Sequence, residues 1–139
     1  MTSTSGSYAA AATMLFDTDV LIWFLRGNAK AARAIDAADR RSISIVTYME
    51  LLQGARDKRE THHIRSFLND FGFTTVPLSG NTGHRASIYI EEYALASAIG
   101  VADALIAATA VEANEVLLTG NARHYKPIQD LQMTRFRPA

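Results

Sequence analysis

Two carboxylates occur in apolar stretches of the sequence that contain no nearby cationic partner. Asp17 directly follows the apolar run 14–16, and the nearest basic residue along the chain is Arg26. Asp103 lies in the segment 101–108, which is otherwise apolar on every side of a helix. Carboxylates that are brought together without Lys or Arg repel one another unless cations lie between them. Mg²⁺ and Mn²⁺ prefer such oxygen ligands, and they neutralise the charge on a phosphodiester during displacement at phosphorus.

Purely structural roles would also account for these acids when each is taken alone. Asp19 has the residue type of an N-cap for the first predicted helix. Glu50 follows Thr47 by three residues. This is the spacing of a capping box, in which the Glu50 side chain would accept a hydrogen bond from the Thr47 amide. Asp103 would be favoured in a first helical turn by the helix dipole. At the level of single residues, both interpretations stay open.

Strands that alternate with helices would have to position these residues. Short apolar runs predict strands over 14–16, 43–46, 74–76 and 116–119, with an edge strand as a fifth candidate over 132–136. Helical patterns cover 18–25, 29–38, 49–55, 61–71, 85–98 and 101–113. This alternation favours crossover connections. We therefore predict an α/β fold, a three-layer α/β/α sandwich with a mainly parallel central sheet of four to five strands.

A parallel sheet predicts where the polar residues meet, because ligands bind outside the carboxyl ends of its strands. Asp17 directly follows the first predicted strand, and Asn121 follows the fourth by two residues. Glu50 is expected in the first turn of its helix, and Asp103 in the first turn of the helix that leads into the fourth strand. Residues 17, 50, 103 and 121 are therefore expected to converge at one edge of the sheet.

Composition restricts the class of protein further. The chain has 139 residues with 14 basic and 14 acidic side chains, and it has no cysteine, which excludes disulfides, thiolate metal sites and thiol nucleophiles. Without Asp17, Asp19, Glu50 and Asp103, ten acidic residues remain against fourteen basic ones, so a basic rim around an acidic centre is compatible with a net charge of zero.

Location and domain boundaries follow from the hydropathy pattern. The segment 94–111 has the length of a membrane span, but Asp103 at its centre would cost roughly 2.5 to 3.5 kcal/mol on insertion scales. We predict a soluble, cytoplasmic protein that does not enter a membrane. Residues 1–13 are small, uncharged and alanine-rich, and are interpreted as a tag or disordered leader before a single domain over 14–139.

Four segments together resemble the PIN-domain ribonucleases, and most closely the VapC toxins of type II toxin–antitoxin modules. These segments are FDTDVLI at 16–22, TYMELLQG at 47–54, GVADALIAA at 100–108 and LTGNARHY at 118–125. Each motif alone has low specificity, but four in this order and spacing are specific. The resemblance covers residues 14 to about 136 and implies a PIN-like sandwich.

The resemblance implies an endoribonuclease that depends on Mg²⁺ or Mn²⁺. Asp17, Glu50 and Asp103 match the metal-binding acids of the family. Asn121 stands where a fourth residue, often Asp, belongs, so the set carries one negative charge less. Thr119 would orient that corner of the site by hydrogen bonding.

Other residues are candidates by their position in the sequence, and the partners are implied by the resemblance. Asp19 would orient the site, and Arg123 and Lys126 lie close enough in sequence to Asn121 to hold an RNA phosphate, although solvated surface charges would give the same pattern. The implied partners are an RNA substrate and a cognate VapB-type antitoxin that covers the acidic site. A homodimer is expected as well, and operator DNA would be contacted only through the antitoxin.

Two alternative hypotheses about the function stay open. The segment from Asp17 to Leu21 also resembles the nucleophile loop of haloacid-dehalogenase-type phosphatases, in which Asp17 would attack phosphate and Asp19 would act as acid and base. That family needs a late pair of acids, which the turn at 119–121 does not supply. A catalytically weak PIN-like binding module is the other alternative, because Asn121 brings no charge.

Overall fold

The structure is a computed structural model that describes residues 13–139. Apart from Thr13, the predicted leader 1–13 lies outside the described residues. The Thr13 carbonyl accepts a hydrogen bond from Val116 N at 3.3 Å, next to the first strand pair of the sheet.

Five strands alternate with seven helices in residues 13–139, as the predicted α/β fold requires. In chain order they are β1 (Met14–Phe16), α1 (Thr18–Leu25), α2 (Ala29–Ala37), β2 (Arg41–Ser44), α3 (Ile45–Gln53), α4 (Lys58–Asp70), β3 (Thr74–Val76), α5 (Gly80–Tyr93), α6 (Val101–Glu112), β4 (Val116–Thr119), α7 (Ala122–Tyr125) and β5 (Met133–Arg135). Among the described helices, none is long and apolar enough to cross a membrane.

All strand pairs of the sheet are parallel, in the order β3-β2-β1-β4-β5. Met14 lies opposite Arg41 of β2, and Phe16 lies opposite Leu118 of β4. The fifth, edge strand is confirmed, since β5 pairs with β4. From β1 the chain builds β2 and β3 on one side and β4 and β5 on the other. The strand order therefore reverses between β1 and β4, which is the crevice where open α/β sheets bind ligands.

Helices cover both faces of the sheet, which gives the predicted three layers. Leu15 and Leu117 face a core that contains buried residues of α5 and α6. Phe16 and Leu118, the next residues along the same strands, face a second core with α1, α2 and α4. Successive strand residues point to opposite faces, and residues 14–16 of β1 and 116–118 of β4 form continuous apolar runs because helices cover both faces of the sheet.

The predicted bounds of the second strand and its following helix are wrong. The strand ends at Ser44 rather than 46, and the helix begins at Ile45 rather than 49. Ser44 is the N-cap, and its side chain accepts a hydrogen bond from Val46 N at 3.0 Å. The β-branched pair at 45 and 46 favours a strand by propensity, but the serine cap and burial in the core decide for a helix.

Two helices differ from prediction in other ways. The fifth helix covers Gly80–Tyr93 instead of 85–98, because the Ser79 side chain caps it by accepting from Thr82 N at 3.0 Å. The short helix α7, Ala122–Tyr125, was not predicted at all. It follows the β4 edge directly and brings Tyr125 back towards the end of β1.

Candidate active site

An acidic cleft of about 410 Å³ opens at the carboxyl edge of the sheet, beside the point where the strand order reverses. Its lining consists of Asp17, Thr18, Asp19, Ile22, Glu50, Gln53, Gly54, Asp103 and Asn121. The structure thus brings residues 17, 50, 103 and 121 together, as the sheet topology predicts, and adds Asp19. Four carboxylates line the cleft, and no Lys or Arg side chain belongs to its described lining.

Asp17 is held at the end of β1 by three hydrogen bonds. Its side chain is only 4% exposed. Oδ1 accepts from Thr18 N at 2.9 Å, and Oδ2 accepts from Thr119 Oγ1 at 2.7 Å and from the Tyr125 hydroxyl at 3.0 Å. Asp17 is therefore the N-cap of α1, and of the two interpretations of Asp19 the one that made it the cap of this helix is wrong. The same side chain starts the helix and faces the cleft.

Glu50 enters the cleft from α3 and is positioned by α1. Thr18 Oγ1 donates to Glu50 Oε1 at 2.6 Å and lies 2.9 Å from Thr47 Oγ1. Because α3 begins at Ile45, Thr47 is a buried residue within the helix and Glu50 lies in its second turn. The capping box between Thr47 and Glu50 is therefore wrong, as is the placement of Glu50 in a first turn. Thr18 instead couples the first and second motifs of the sequence.

The turn after β4 is tied to α1 through Asp19. Gly120 N donates to Asp19 Oδ2 at 2.9 Å, and Asn121 N donates to Thr119 Oγ1 at 2.9 Å. A Cβ atom at position 120 would lie 2.3 Å from Asp19 Oδ2, so a side chain there would displace Asp19. The absence of a side chain at Gly120 therefore allows this close approach, which sets the position of Asn121 at the cleft.

Asp103 reaches the cleft from the first turn of α6 and meets Tyr125, to which the sequence motifs assigned no role. The Tyr125 hydroxyl lies 3.2 Å from Asp103 Oδ1. His124 Nδ1 lies 3.8 Å from Asp103 Oδ2, beyond hydrogen-bonding distance. Tyr125 stands four residues after Asn121 at the end of the segment 118–125, and this proximity is the signal by which the sequence could have indicated it.

Arg123 and Lys126 do not belong to the cleft lining. Both side chains are exposed, Arg123 on α7 and Lys126 directly after it. They lie within five residues of Asn121 in the chain. The structure therefore leaves both of them free to meet solvent or a ligand that extends beyond the cleft.

A family model describes this arrangement of motifs. The model of the PIN domain matches residues 14–127. The chain belongs to the PIN domain family. No curated protein sequence matches this chain significantly.

Solved structures with the same fold as this PIN domain come from several bacteria. A toxin–antitoxin complex from Klebsiella pneumoniae is 28% identical, with a TM-score of 0.74, over 91% of this chain and 98% of that chain. DNA-bound VapBC from Salmonella typhimurium is 20% identical, with a TM-score of 0.78, over 89% and 98%. VapBC2 from Rickettsia felis, bound to a promoter DNA fragment, is 18% identical, with a TM-score of 0.76, over 90% and 99%.

Burial dominates the electrostatics of the PIN domain cleft. It raises the pKa of Asp17 to about 6, against the opposing effect of the Thr119 hydrogen bond and together with the nearby charge of Asp19. Burial also raises the pKa of Asp19, although the Gly120 amide opposes this. The pKa of Tyr125 is raised far above its ordinary value by burial and by the charges of Asp17 and Asp103, so its hydroxyl keeps its proton. The cleft therefore favours bound positive charge.

The donor set of the PIN domain fits a hydrated hard cation better than a closed metal cage. Asp19 Oδ1 is buried and has no hydrogen-bond partner among the described residues, so the cost of removing this carboxylate oxygen from water is not offset by a donor. Among residues 13–139, no three Asp, Glu or His side chains already stand together as a preformed set of metal ligands. Mg²⁺ usually keeps several waters and binds through one or two carboxylates plus a substrate phosphate. An oxygen-only cleft of this kind matches that requirement.

Proposed function

We propose that this PIN domain is the toxin of a type II toxin–antitoxin module and acts as a divalent-metal-dependent endoribonuclease. The observation that carries the proposal is the cleft at the sheet edge, in which four carboxylates converge without a Lys or Arg in the described lining. The relative from Klebsiella pneumoniae, a toxin–antitoxin complex, supports the biological context. An acidic, oxygen-rich cleft in this position suits the hydrolysis of a polyanion only if cations enter it.

Asp17, Glu50 and Asp103 are the residues that we propose to hold Mg²⁺ or Mn²⁺, with the Asn121 side-chain oxygen beside them. Bound there, the ion would neutralise phosphodiester charge and lower the pKa of an attacking water. The chain's own contribution is positioning. Thr18 orients Glu50, and Thr119 orients Asp17 through the hydrogen bonds described above. Asp19 orients the turn that carries Asn121.

Arg123 and Lys126 are proposed to contact RNA phosphates outside the cleft. Both are exposed, and both lie within five residues of the cleft residue Asn121 in the chain. Phosphate contacts from such side chains fix the register of a nucleic acid without reading its bases. They therefore supply affinity for RNA in general, and the cut site would depend on the rest of the surface.

A VapB-type antitoxin is the proposed inhibitor, and a groove next to the cleft offers it a binding surface. This groove measures about 560 Å³ and shares Ile22, Glu50 and Gly54 with the cleft. Leu25, Leu51, Ala55 and Ile64 add apolar side chains to its lining. An apolar antitoxin segment would occupy the groove and place a basic side chain among the carboxylates, where it replaces the metal charge. The expected homodimer belongs to the same proposal, as does contact with operator DNA through the antitoxin.

The test of this function is RNA cleavage by the purified chain. We expect a structured RNA to be cut in the presence of Mg²⁺ or Mn²⁺, not in EDTA, and again after excess ion is restored. Sequencing the new RNA ends would identify the substrate and site. Cleavage that persists in EDTA would contradict the metal requirement.

Two other outcomes would support the alternative hypotheses, a binding module or a phosphatase. Binding of RNA or a partner without any cleavage in Mn²⁺ would indicate a PIN-like binding module. Hydrolysis of a small phosphate ester with an acyl phosphate trapped on Asp17 would indicate a phosphatase of the haloacid-dehalogenase type. Neither outcome is compatible with the proposed nuclease.

Asn121→Asp is expected to lower the Mg²⁺ concentration for half-maximal cleavage by about tenfold, because hard cations bind mainly through carboxylates and one charge is added at the cleft. Calorimetry should show correspondingly tighter binding of Mn²⁺. Asn69→Asp is the matched control, since Asn69 is exposed on α4 and outside the cleft lining. Equal metal dependence in Asn121→Asp and the parent protein would place residue 121 outside the metal site.

A further inference from the structure

Tyr125 joins two carboxylates that come from distant parts of the chain. Its side chain is fully buried, and its hydroxyl lies 3.0 Å from Asp17 Oδ2 and 3.2 Å from Asp103 Oδ1. We propose that the Tyr125 hydroxyl is a positioning group that holds the Asp17 and Asp103 carboxylates in the arrangement that receives the divalent ion. The inference rests on the proposed function for the use of a metal at this site.

The two carboxylates depend on Tyr125 to different extents. Asp17 is also held by Thr18 N and Thr119 Oγ1, so it keeps two hydrogen bonds when the tyrosine hydroxyl is removed. For the Asp103 side chain, Tyr125 is the hydrogen-bond donor that the described residues supply. The rotamer of Asp103 is therefore set by the hydroxyl, while Asp17 serves as the fixed reference.

The chemistry of the hydroxyl explains why it suits this position. A phenol carries one proton, which is shared between two carboxylates that would otherwise repel each other. A divalent ion between the same carboxylates would attract both of them as this proton does, but more strongly. The hydroxyl thus reduces the repulsion between the two carboxylates in metal-free protein without introducing a cation that a metal ion would have to displace. Two carboxylate oxygens, Asp17 Oδ1 and Asp103 Oδ2, are not bonded to it; Asp17 Oδ1 accepts one hydrogen bond from Thr18 N, and a second lone pair of this oxygen is left for a metal ion.

The packing of the ring makes the hydroxyl a rigid support. Tyr125 belongs to the core between the sheet and helices α5 and α6, together with Leu15, Leu117 and Ile128. Close-packed cores keep side chains in single rotamers, so the ring fixes the position of its oxygen. A phenylalanine at 125 would fill the same space and remove only the oxygen. The substitution therefore separates positioning of the acids from packing of the core.

Tyr125→Phe is the test, and Tyr89→Phe is its matched control. Tyr89 is 4% exposed, and its hydroxyl donates to Asp130 Oδ1 at 2.9 Å, outside the cleft lining. Mn²⁺ binding to the full chain is measured by calorimetry without RNA. We expect Tyr125→Phe to raise the Mn²⁺ dissociation constant by about 10- to 100-fold, the usual effect of removing a group that orients metal ligands. Tyr89→Phe should leave this constant within about twofold of the parent value.

Thermal melts provide the second readout. In EDTA both variants should melt as folded proteins, and added Mn²⁺ should raise the melting temperature of Tyr89→Phe but much less that of Tyr125→Phe. Unchanged Mn²⁺ affinity in a folded Tyr125→Phe would overturn the proposal. A Tyr125→Phe chain that is unfolded in EDTA, while Tyr89→Phe folds, would make the hydroxyl structural and overturn it as well.

The binding measurement separates this inference from the proposed function. A chain that binds Mn²⁺ in a Tyr125-dependent way but cuts no RNA would retain the positioning role and lose the nuclease activity. A chain that cuts RNA in Mn²⁺ while Tyr125→Phe keeps full affinity would lose only the positioning role.

Discussion

Replacing Asp17 or Asp103 with asparagine is expected to lower RNA cleavage by at least about 100-fold while the chain stays folded. Loss of a group that merely orients a metal ligand costs 10- to 100-fold, and loss of the ligand itself costs at least as much. Asparagine has nearly the same shape as aspartate, and it is equally good as the helix cap that residue 17 provides. Initial rates on one RNA at saturating Mn²⁺, with circular dichroism of each variant, measure the effect.

The control for this experiment is an acid of the same type outside the cleft. Asp36 is exposed on α2 and does not belong to the cleft lining, so Asp36→Asn should keep the parent rate. If both Asp17→Asn and Asp103→Asn cleave RNA as fast as Asp36→Asn, the two acids do not hold the catalytic metal. Growth inhibition on expression should follow the same order.

Metal-free stability is expected to fall as pH rises from about 4 to about 6, and the largest single contribution is assigned to Asp17. Burial raises its pKa from 3.8 to about 6. Between these values the folded state holds a proton that the unfolded chain has released, so raising the pH favours unfolding. The interval between the two pKa values corresponds to about 3 kcal/mol, and above about pH 6 this contribution is fully lost. Burial acts in the same direction on Asp19.

Asp17→Asn isolates this effect because its side chain does not titrate. In EDTA the variant should be about as stable as the parent at pH 4 and more stable at pH 7 by up to about 3 kcal/mol. Thr119 and Tyr125 carry hydroxyls that either donate or accept, so they accommodate the amide. Urea titrations at several pH values measure the difference, and added Mn²⁺ should stabilise the parent but not the variant. If the stability of the parent and of Asp17→Asn changed with pH in the same way in EDTA, burial would not raise the pKa of Asp17.

The fold was predictable from the sequence where burial on both faces leaves a continuous apolar run. The bounds of β1 and β4 agree with the predicted strands for this reason. The bounds of β3, which is a partly exposed Thr-Thr-Val segment, and of α1 agree with prediction as well. The start of α3 was not predictable from propensity, since Ile45 and Val46 favour a strand. The Ser44 cap, whose side chain accepts from Val46 N, and burial of Val46 in the core together override that propensity.

The sequence by itself determined that carboxylates gather at one edge of a parallel sheet, because strand order and the positions of acids after strands follow from local patterns. Only the tertiary structure decided which groups each acid contacts. Thr18 with Glu50, Gly120 with Asp19 and Tyr125 with Asp103 are pairs separated by 32, 101 and 22 residues. Such bonds depend on rotamers and on distances between packed elements, which no local pattern encodes. For this reason Asp19 and Glu50, for which a capping role was the open alternative, are joined instead to other elements of the cleft, and Tyr125 contacts both Asp17 and Asp103.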